Sequence, residues 1–176
     1  MQNQLQTLIA AATFAAHKHR DQRRKGAEAS PYINHPLSVA DVLANEGGVE
    51  DLITLVAALL HDTIEDTQTT ADEIAARFGP EAAAVVMEVT DDKRLDKDER
   101  KRRQVLQAAG ASPRAQLVKL ADKICNLRDL VDSPPGDWPL ERRREYFEWS
   151  RAVAEQLRRV SPQLAVVFDA AYARKP

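Results

Sequence analysis

From Leu52 to Leu60 the chain runs Leu-Ile-Thr-Leu-Val-Ala-Ala-Leu-Leu, with no charge and only Thr54 to interrupt it. The run falls far short of the ~20 apolar residues a membrane span needs, so it does not cross a bilayer. A helix built from it is apolar on nearly every face and belongs at the centre of a fold. Its pattern extends to a helix from Val49 to about Glu65. Elsewhere helix-forming residues dominate, and alternating strand patterns are nearly absent. The one strand-like stretch, Ala84 to Val89, is flanked by alanines and preceded by Pro80 at a first helical position, which favours a helix.

Capping signals divide the rest of the chain. Leu5, Leu8, Ile9, Ala12 and Ala16 form one stripe and predict a helix over about 3–19, followed by a charged loop to Tyr32. His35-Pro36 opens a second helix that Gly47 and Gly48 stop. Thr70-Ala71-Asp72-Glu73 matches a capping box and starts a short helix ending at Gly79. Helices over 80–90 and 98–109 follow. Ser112-Pro113 caps one that reaches about Val131, a proline-rich loop spans 132–139, and helices from Leu140 to Val160 and after Ser161-Pro162 end the chain. Without repeats or long linkers, the expectation is an all-α fold of roughly eight helices, one compact domain over residues 1–176.

Composition narrows the function. The 176 residues are 44% hydrophobic and 30% charged, with a formal net charge of −2. No global field therefore draws the protein onto nucleic acid or an anionic membrane. The basic clusters at 20–25 and 100–103 do not change this, since Asp96, Asp98 and Glu99 accompany the second. Cys125 is the only cysteine and cannot form an internal disulfide. With no charged-then-apolar leader, a reducing, cytoplasmic setting is expected. Homo-oligomerisation stays open.

The central helix carries the chemistry. Its apolar walls imply burial, yet its last turn and exit hold His61, Asp62, Glu65 and Asp66. Ionised carboxylates are costly to bury without a partner, and a bound cation would provide one. On an unbroken helix Glu65 lies one turn beyond His61, and Asp66 one turn beyond Asp62. That spacing stacks an acid/base pair above a ligand pair. His35, oriented by Pro36, is the best further nitrogen ligand. Asp122 is the best distant carboxylate, beside the stripe Leu117, Leu120, Ala121, Ile124 and Leu127, with Asn126 one turn on. Two imidazoles and two carboxylates suit a borderline-to-hard divalent ion, manganese first, with iron or zinc as alternatives. Such an ion lowers the pKa of bound water and polarises a phosphoryl oxygen.

Several segments carry a resemblance. They are His19-Arg20-Asp21-Gln22-Arg23-Arg24-Lys25, Pro31-Tyr32-Ile33-Asn34-His35-Pro36, Ala57 to Thr67 around His61-Asp62-Thr63-Ile64-Glu65-Asp66, Val89-Thr90-Asp91-Asp92, Val118 to Arg128, and Glu145-Tyr146-Phe147-Glu148-Trp149. In this order, over nearly the whole chain, the sequence resembles the hydrolase domain of the RelA/SpoT family, in particular its free-standing small alarmone hydrolases, the animal SpoT-like form included. The resemblance implies a manganese-dependent 3′-pyrophosphohydrolase acting on guanosine tetra- and pentaphosphate, releasing GDP or GTP and pyrophosphate. It assigns His35, His61, Asp62 and Asp122 to the metal and Glu65 and Asp66 to the attacking water. Arg24, Lys25, Asn126, Arg142 and Tyr146 would bind the nucleotide, with Lys97, in a flexible loop, a weaker candidate. It also implies no synthetase or regulatory domain. A related phosphohydrolase acting on another nucleotide, such as NADPH at its 2′-phosphate, is the main alternative. A non-catalytic nucleotide sensor is disfavoured because no proposed ligand is missing.

Overall fold

The computed structural model describes residues 3–176. Ten α-helices follow one another: α1 (Gln4–Lys18), α2 (Asn34–Asp41), α3 (Leu52–Leu60), α4 (Thr63–Asp66), α5 (Ala71–Phe78), α6 (Pro80–Val89), α7 (Lys97–Gln107), α8 (Pro113–Asp132), α9 (Leu140–Leu157) and α10 (Pro162–Tyr172). A π turn, Val42–Glu46, prolongs α2 to Gly47. Among the described residues there is no strand, only a bridge between Arg23 and Pro31, and no helix long and apolar enough to cross a membrane.

The apolar run takes the expected place. α3 packs against α1, α2, α6 and α8, and Val56, Ala57, Ala58, Leu59 and Leu60 are all buried. α8 is the second spine, touching α2, α3, α6, α9 and α10. It buries Leu120, Ala121, Ile124 and Leu127, the stripe that the sequence shows. The caps are in place at Ser112, Ser161 and Thr70, each accepting a backbone N–H three residues on. At Thr70 only half of the capping box forms, because the Glu73 carboxylate pairs with Lys18 at 2.7 Å.

Three expectations need correction. The central helix starts at Leu52, because Asp51 caps it by accepting from the Thr54 N–H at 2.9 Å. It also does not run through to Glu65. It stops at Leu60, and Asp62 leads into the separate turn α4. The break has a local cause: His61 Nδ1 bonds the Ala58 carbonyl at 2.8 Å, and the Thr63 hydroxyl donates to the Leu60 carbonyl at 2.7 Å. Side chains thus take carbonyls that a continuing helix would use. Lys97, finally, lies in no loop. It is the first residue of α7, capped by Asp96.

α7 buries none of its own residues and is held to α9 partly by the Trp149 indole N–H on the Lys101 carbonyl at 3.1 Å. It forms an outer wall that rests on the core through the partly buried Val105. The core itself centres on large side chains such as Phe147, which is fully buried. Phe147→Ala should lower unfolding free energy by about 3–5 kcal/mol, whereas Val166→Ala, at a residue 69% exposed, should stay within about 0.5 kcal/mol. Denaturant titration of both variants checks this, and equal shifts would contradict the assigned core.

Candidate metal centre and nucleotide cleft

The break after α3 turns His61 and Asp62 toward the side chains of α2 and α8. His35, His61 and Asp62 offer ligand atoms all within 4.8 Å of one another, a group able to hold a metal ion. Asp122 joins them from α8: its Oδ1 lies 3.1 Å from His35 Nε2 and 3.8 Å from His61 Nε2. The structure therefore brings the four sequence-derived ligand candidates together from three separate stretches of chain. His35 and His61 are 3% and 6% exposed and line a cavity of about 200 Å³.

The donor set fits a divalent cation. His61 Nδ1 is committed to the Ala58 carbonyl, which directs Nε2 into the site, the arrangement that fixes an imidazole for ligation. Nε2 is buried with no hydrogen-bond partner. It lies 3.0 Å from Asp62 Oδ2, but off the line a hydrogen bond requires. Burial disfavours its imidazolium, yet the Asp62 and Asp122 carboxylates outweigh that and raise the His61 pKa to about 9. Asp62 is itself held well below the usual carboxylate range, burial notwithstanding, by His61 and His35.

The protein also compensates the buried acids directly. The Tyr32 hydroxyl donates to Asp62 Oδ2 at 2.6 Å, and Lys123 Nζ to Asp122 Oδ2 at 2.9 Å. Asn126 Nδ2 donates to Asp122 Oδ1 at 2.6 Å. Burial works against the Lys123 ammonium, but Asp122 keeps its pKa high. Part of the compensation expected of an ion is thus built from side chains. Neither Tyr32 nor Lys123 is picked out as a site residue from sequence. A signal exists for Tyr32, three residues before His35. For Lys123 the only hint is its place among apolar residues of α8.

Glu65 and Asp66 both line the cleft outside the ligand group, but only Glu65 reaches inward as well. Glu65 lines the cavity around the four ligand candidates, about 200 Å³, as well as the larger cleft outside it. Its Oε2 accepts the Asp91 N–H at 3.1 Å. Burial raises its pKa; the Asp91 N–H opposes this, and the carboxylates of Asp91, Asp62 and Asp66 add to the rise. Asp66 lines only the outer cleft, held by Lys93 at 2.6 Å and by Gln22 at 3.1 Å.

The outer cleft has a volume of about 690 Å³, within the range of small-molecule sites. Arg24, Lys25, Asn126 and Tyr146 line it. Arg24 reaches Asn126 Oδ1 at 3.1 Å and lies 5.4 Å from the centre of the Tyr32 ring. Arg142 is not part of the wall. Its guanidinium sits over the ring of Trp138 at 4.1 Å, and Trp138 lines the cleft in its place. The loop bearing Arg24 and Lys25 closes onto the end of α8 at Gly26, where a Cβ would fall 2.5 Å from the Ser133 carbonyl oxygen.

Comparison with known proteins places the chain in a family. A family profile described as HD domain matches residues 11–148. The mouse guanosine-3′,5′-bis(diphosphate) 3′-pyrophosphohydrolase MESH1 is 56% identical over 157 residues, 89% of this chain and 88% of its own length. Its Drosophila melanogaster counterpart is 47% identical over 156 residues, with 89% and 87% covered. A solved structure described as a metazoan ortholog of SpoT that hydrolyses ppGpp superposes with a TM-score of 0.92 at 43% identity, over 96% of this chain and 94% of that one. On the profile spanning most of its length, and on relatives matched over nearly all of theirs, the chain belongs to the HD-domain family, alongside the MESH1 proteins.

Proposed function

We propose that this protein hydrolyses the 3′-pyrophosphate of guanosine tetra- and pentaphosphate with a bound manganese ion, giving GDP or GTP and pyrophosphate. The observation that carries the reading is the meeting of His35, His61, Asp62 and Asp122 beside Glu65, at the base of a cleft walled by Arg24 and Asn126. Support comes from the named activity of the MESH1 relatives. When bound, the divalent ion supplies Lewis-acid polarisation of the phosphoryl group and acidifies water.

The chain's own residues do the rest. The two imidazoles and two carboxylates would hold the ion, and Tyr32 and Lys123 hold the carboxylates in place. Glu65 accepts the proton of the attacking water, a task suited to a carboxylate whose basicity burial has raised. The water oxygen bonds to the phosphorus next to the ribose, the bond to the ribose 3′ oxygen breaks, and that oxygen takes up a proton. Asp66, fixed by Lys93 and Gln22, steadies the rim of the cleft and adds its charge to the field at Glu65. Arg24 stacks on the purine while Asn126 and Tyr146 bound the nucleoside. Lys25, exposed at the mouth, meets phosphate. Arg142 acts through Trp138, which it holds against the cleft.

The deciding experiment is pyrophosphate release from guanosine tetraphosphate with manganese and with a chelator. Turnover is expected only with the metal, and metal-independent turnover would overturn the reading. Glu65→Ala should retain the ion, measured by metal analysis, yet turn over at least ~100-fold more slowly, the usual scale for a general base. Normal turnover in that variant would remove Glu65 from the mechanism. Metal affinity should also depend on pH. With a pKa of about 9, His61 is protonated at neutral pH in the ion-free protein, and ligation has to expel that proton. Affinity should therefore climb roughly tenfold per pH unit from 6 to 8, with about one proton released on binding. Calorimetry in buffers of different ionisation enthalpy measures both, and a pH-independent affinity would contradict the assignment.

A further inference from the structure

α8 presents Lys119, Asp122, Lys123 and Asn126 on one face, at spacings of three, four and seven residues. Asp122 belongs to the ligand group, and Asn126 lies about 6 Å along the axis toward the nucleotide cleft. Lys119 lies about 4.5 Å the other way. It lines the 200 Å³ cavity at the ligand group and a second cavity of about 440 Å³ behind it. Asp91 and Gln104 are walls of both.

The charges in this rear space are unevenly committed. Its acids all accept hydrogen bonds, Asp91 from Gln104 at 2.6 Å, Asp92 from Arg94 at 2.8 Å and Glu88 from the Ser112 N–H at 2.7 Å, though only Arg94 brings an opposite charge. Arg103 is paired with Glu99. The acids nearest Lys119 are engaged as well, since Asp122 holds Lys123 and Glu65 holds the Asp91 N–H. Lys119 and Arg100 are left over, and Arg100 Nε is buried without a partner. Burial and the neighbouring Lys123 ammonium lower the Lys119 pKa against the opposing pull of Asp91, Asp122 and Glu65, and its position between the two cavities leaves it open to a ligand oxygen.

We propose that the α8 face acts as a ruler for the substrate, with the nucleoside at Asn126, the reacting phosphorus at Asp122, and the distal phosphate of the 3′-pyrophosphoryl group on Lys119 in the rear cavity. Lys119 is then a specificity-determining residue, favouring a diphosphate ester over a monophosphate ester. The assignment rests on the functional reading above, because it takes the reacting group to be a pyrophosphoryl.

The test compares guanosine tetraphosphate with guanosine 5′-diphosphate 3′-monophosphate, both with manganese, on wild type, Lys119→Gln and Lys119→Arg. Lys119→Gln should lose about 10- to 100-fold in kcat/KM on the diphosphate ester, mostly through KM, the scale of one charge-assisted contact. The loss on the monophosphate ester should be at least about tenfold smaller, and Lys119→Arg should restore most of the preference. Equal losses on both substrates, or no loss, would overturn the proposal. A second measurement needs no turnover. Calorimetric binding of inorganic pyrophosphate to the manganese-loaded protein should exceed that of orthophosphate, and Lys119→Gln should erase the difference; a difference that survives the substitution overturns the proposal. Wild type that leaves guanosine tetraphosphate intact would instead refute the functional reading, while the pyrophosphate comparison still decides the role of Lys119.

Discussion

Two carboxylates and two largely buried imidazoles crowd around one cavity of about 200 Å³, and the rest of the molecule is arranged around making that tolerable. Burial alone would drive Asp62 and Asp122 to take up protons. Opposite charge and hydrogen bonding reverse the outcome, with Tyr32, Lys123, Asn126 and the histidines as partners. Lys123 and Asn126 share α8 with Asp122, but His35 comes from α2, Tyr32 from the loop before it and His61 from the end of α3, so the site exists only when α2, α3 and α8 are packed. Folding and the capacity to bind an ion are therefore one event.

The two spines divide the labour. α3 is nearly featureless chemically until its end, and its apolar faces fix where that end falls. α8 is amphipathic and sets its polar face along the cavities, from Lys119 past Asp122 to Asn126. A rigid helix spaces these groups by its own rise, which suits the recognition of a substrate whose phosphates are also regularly spaced. α7, by contrast, leans on the core without entering it, so the rear cavity is walled on one side by a surface helix.

Much of this was legible in the sequence for identifiable reasons. An apolar run ending in His61-Asp62 is a local contradiction, and such contradictions mark sites. His35 was marked by the proline after it, Asp122 by its stripe, and Asn126 by helical spacing from Asp122. What escaped was tertiary or finely local. The helix break at Asp62 comes from two side-chain bonds to backbone carbonyls, and periodicity does not see it. Past that break Glu65 and Asp66 share the outer cleft, and only Glu65 also reaches the cavity of the ligand group. Lys123 looks like any surface lysine until packing places it on Asp122. Arg142 carries the charge expected of a cleft residue but lies on Trp138.

The closure at Gly26 has a consequence of its own. The strip of chain bearing Arg24 and Lys25 can press against the Ser133 carbonyl only because position 26 has a hydrogen where other residues have a carbon. A single methyl there would act as a wedge, pushing the strip off Ser133 and carrying Arg24 and Lys25 with it. The aperture through which nucleotide enters and product departs is thus gauged by an omission.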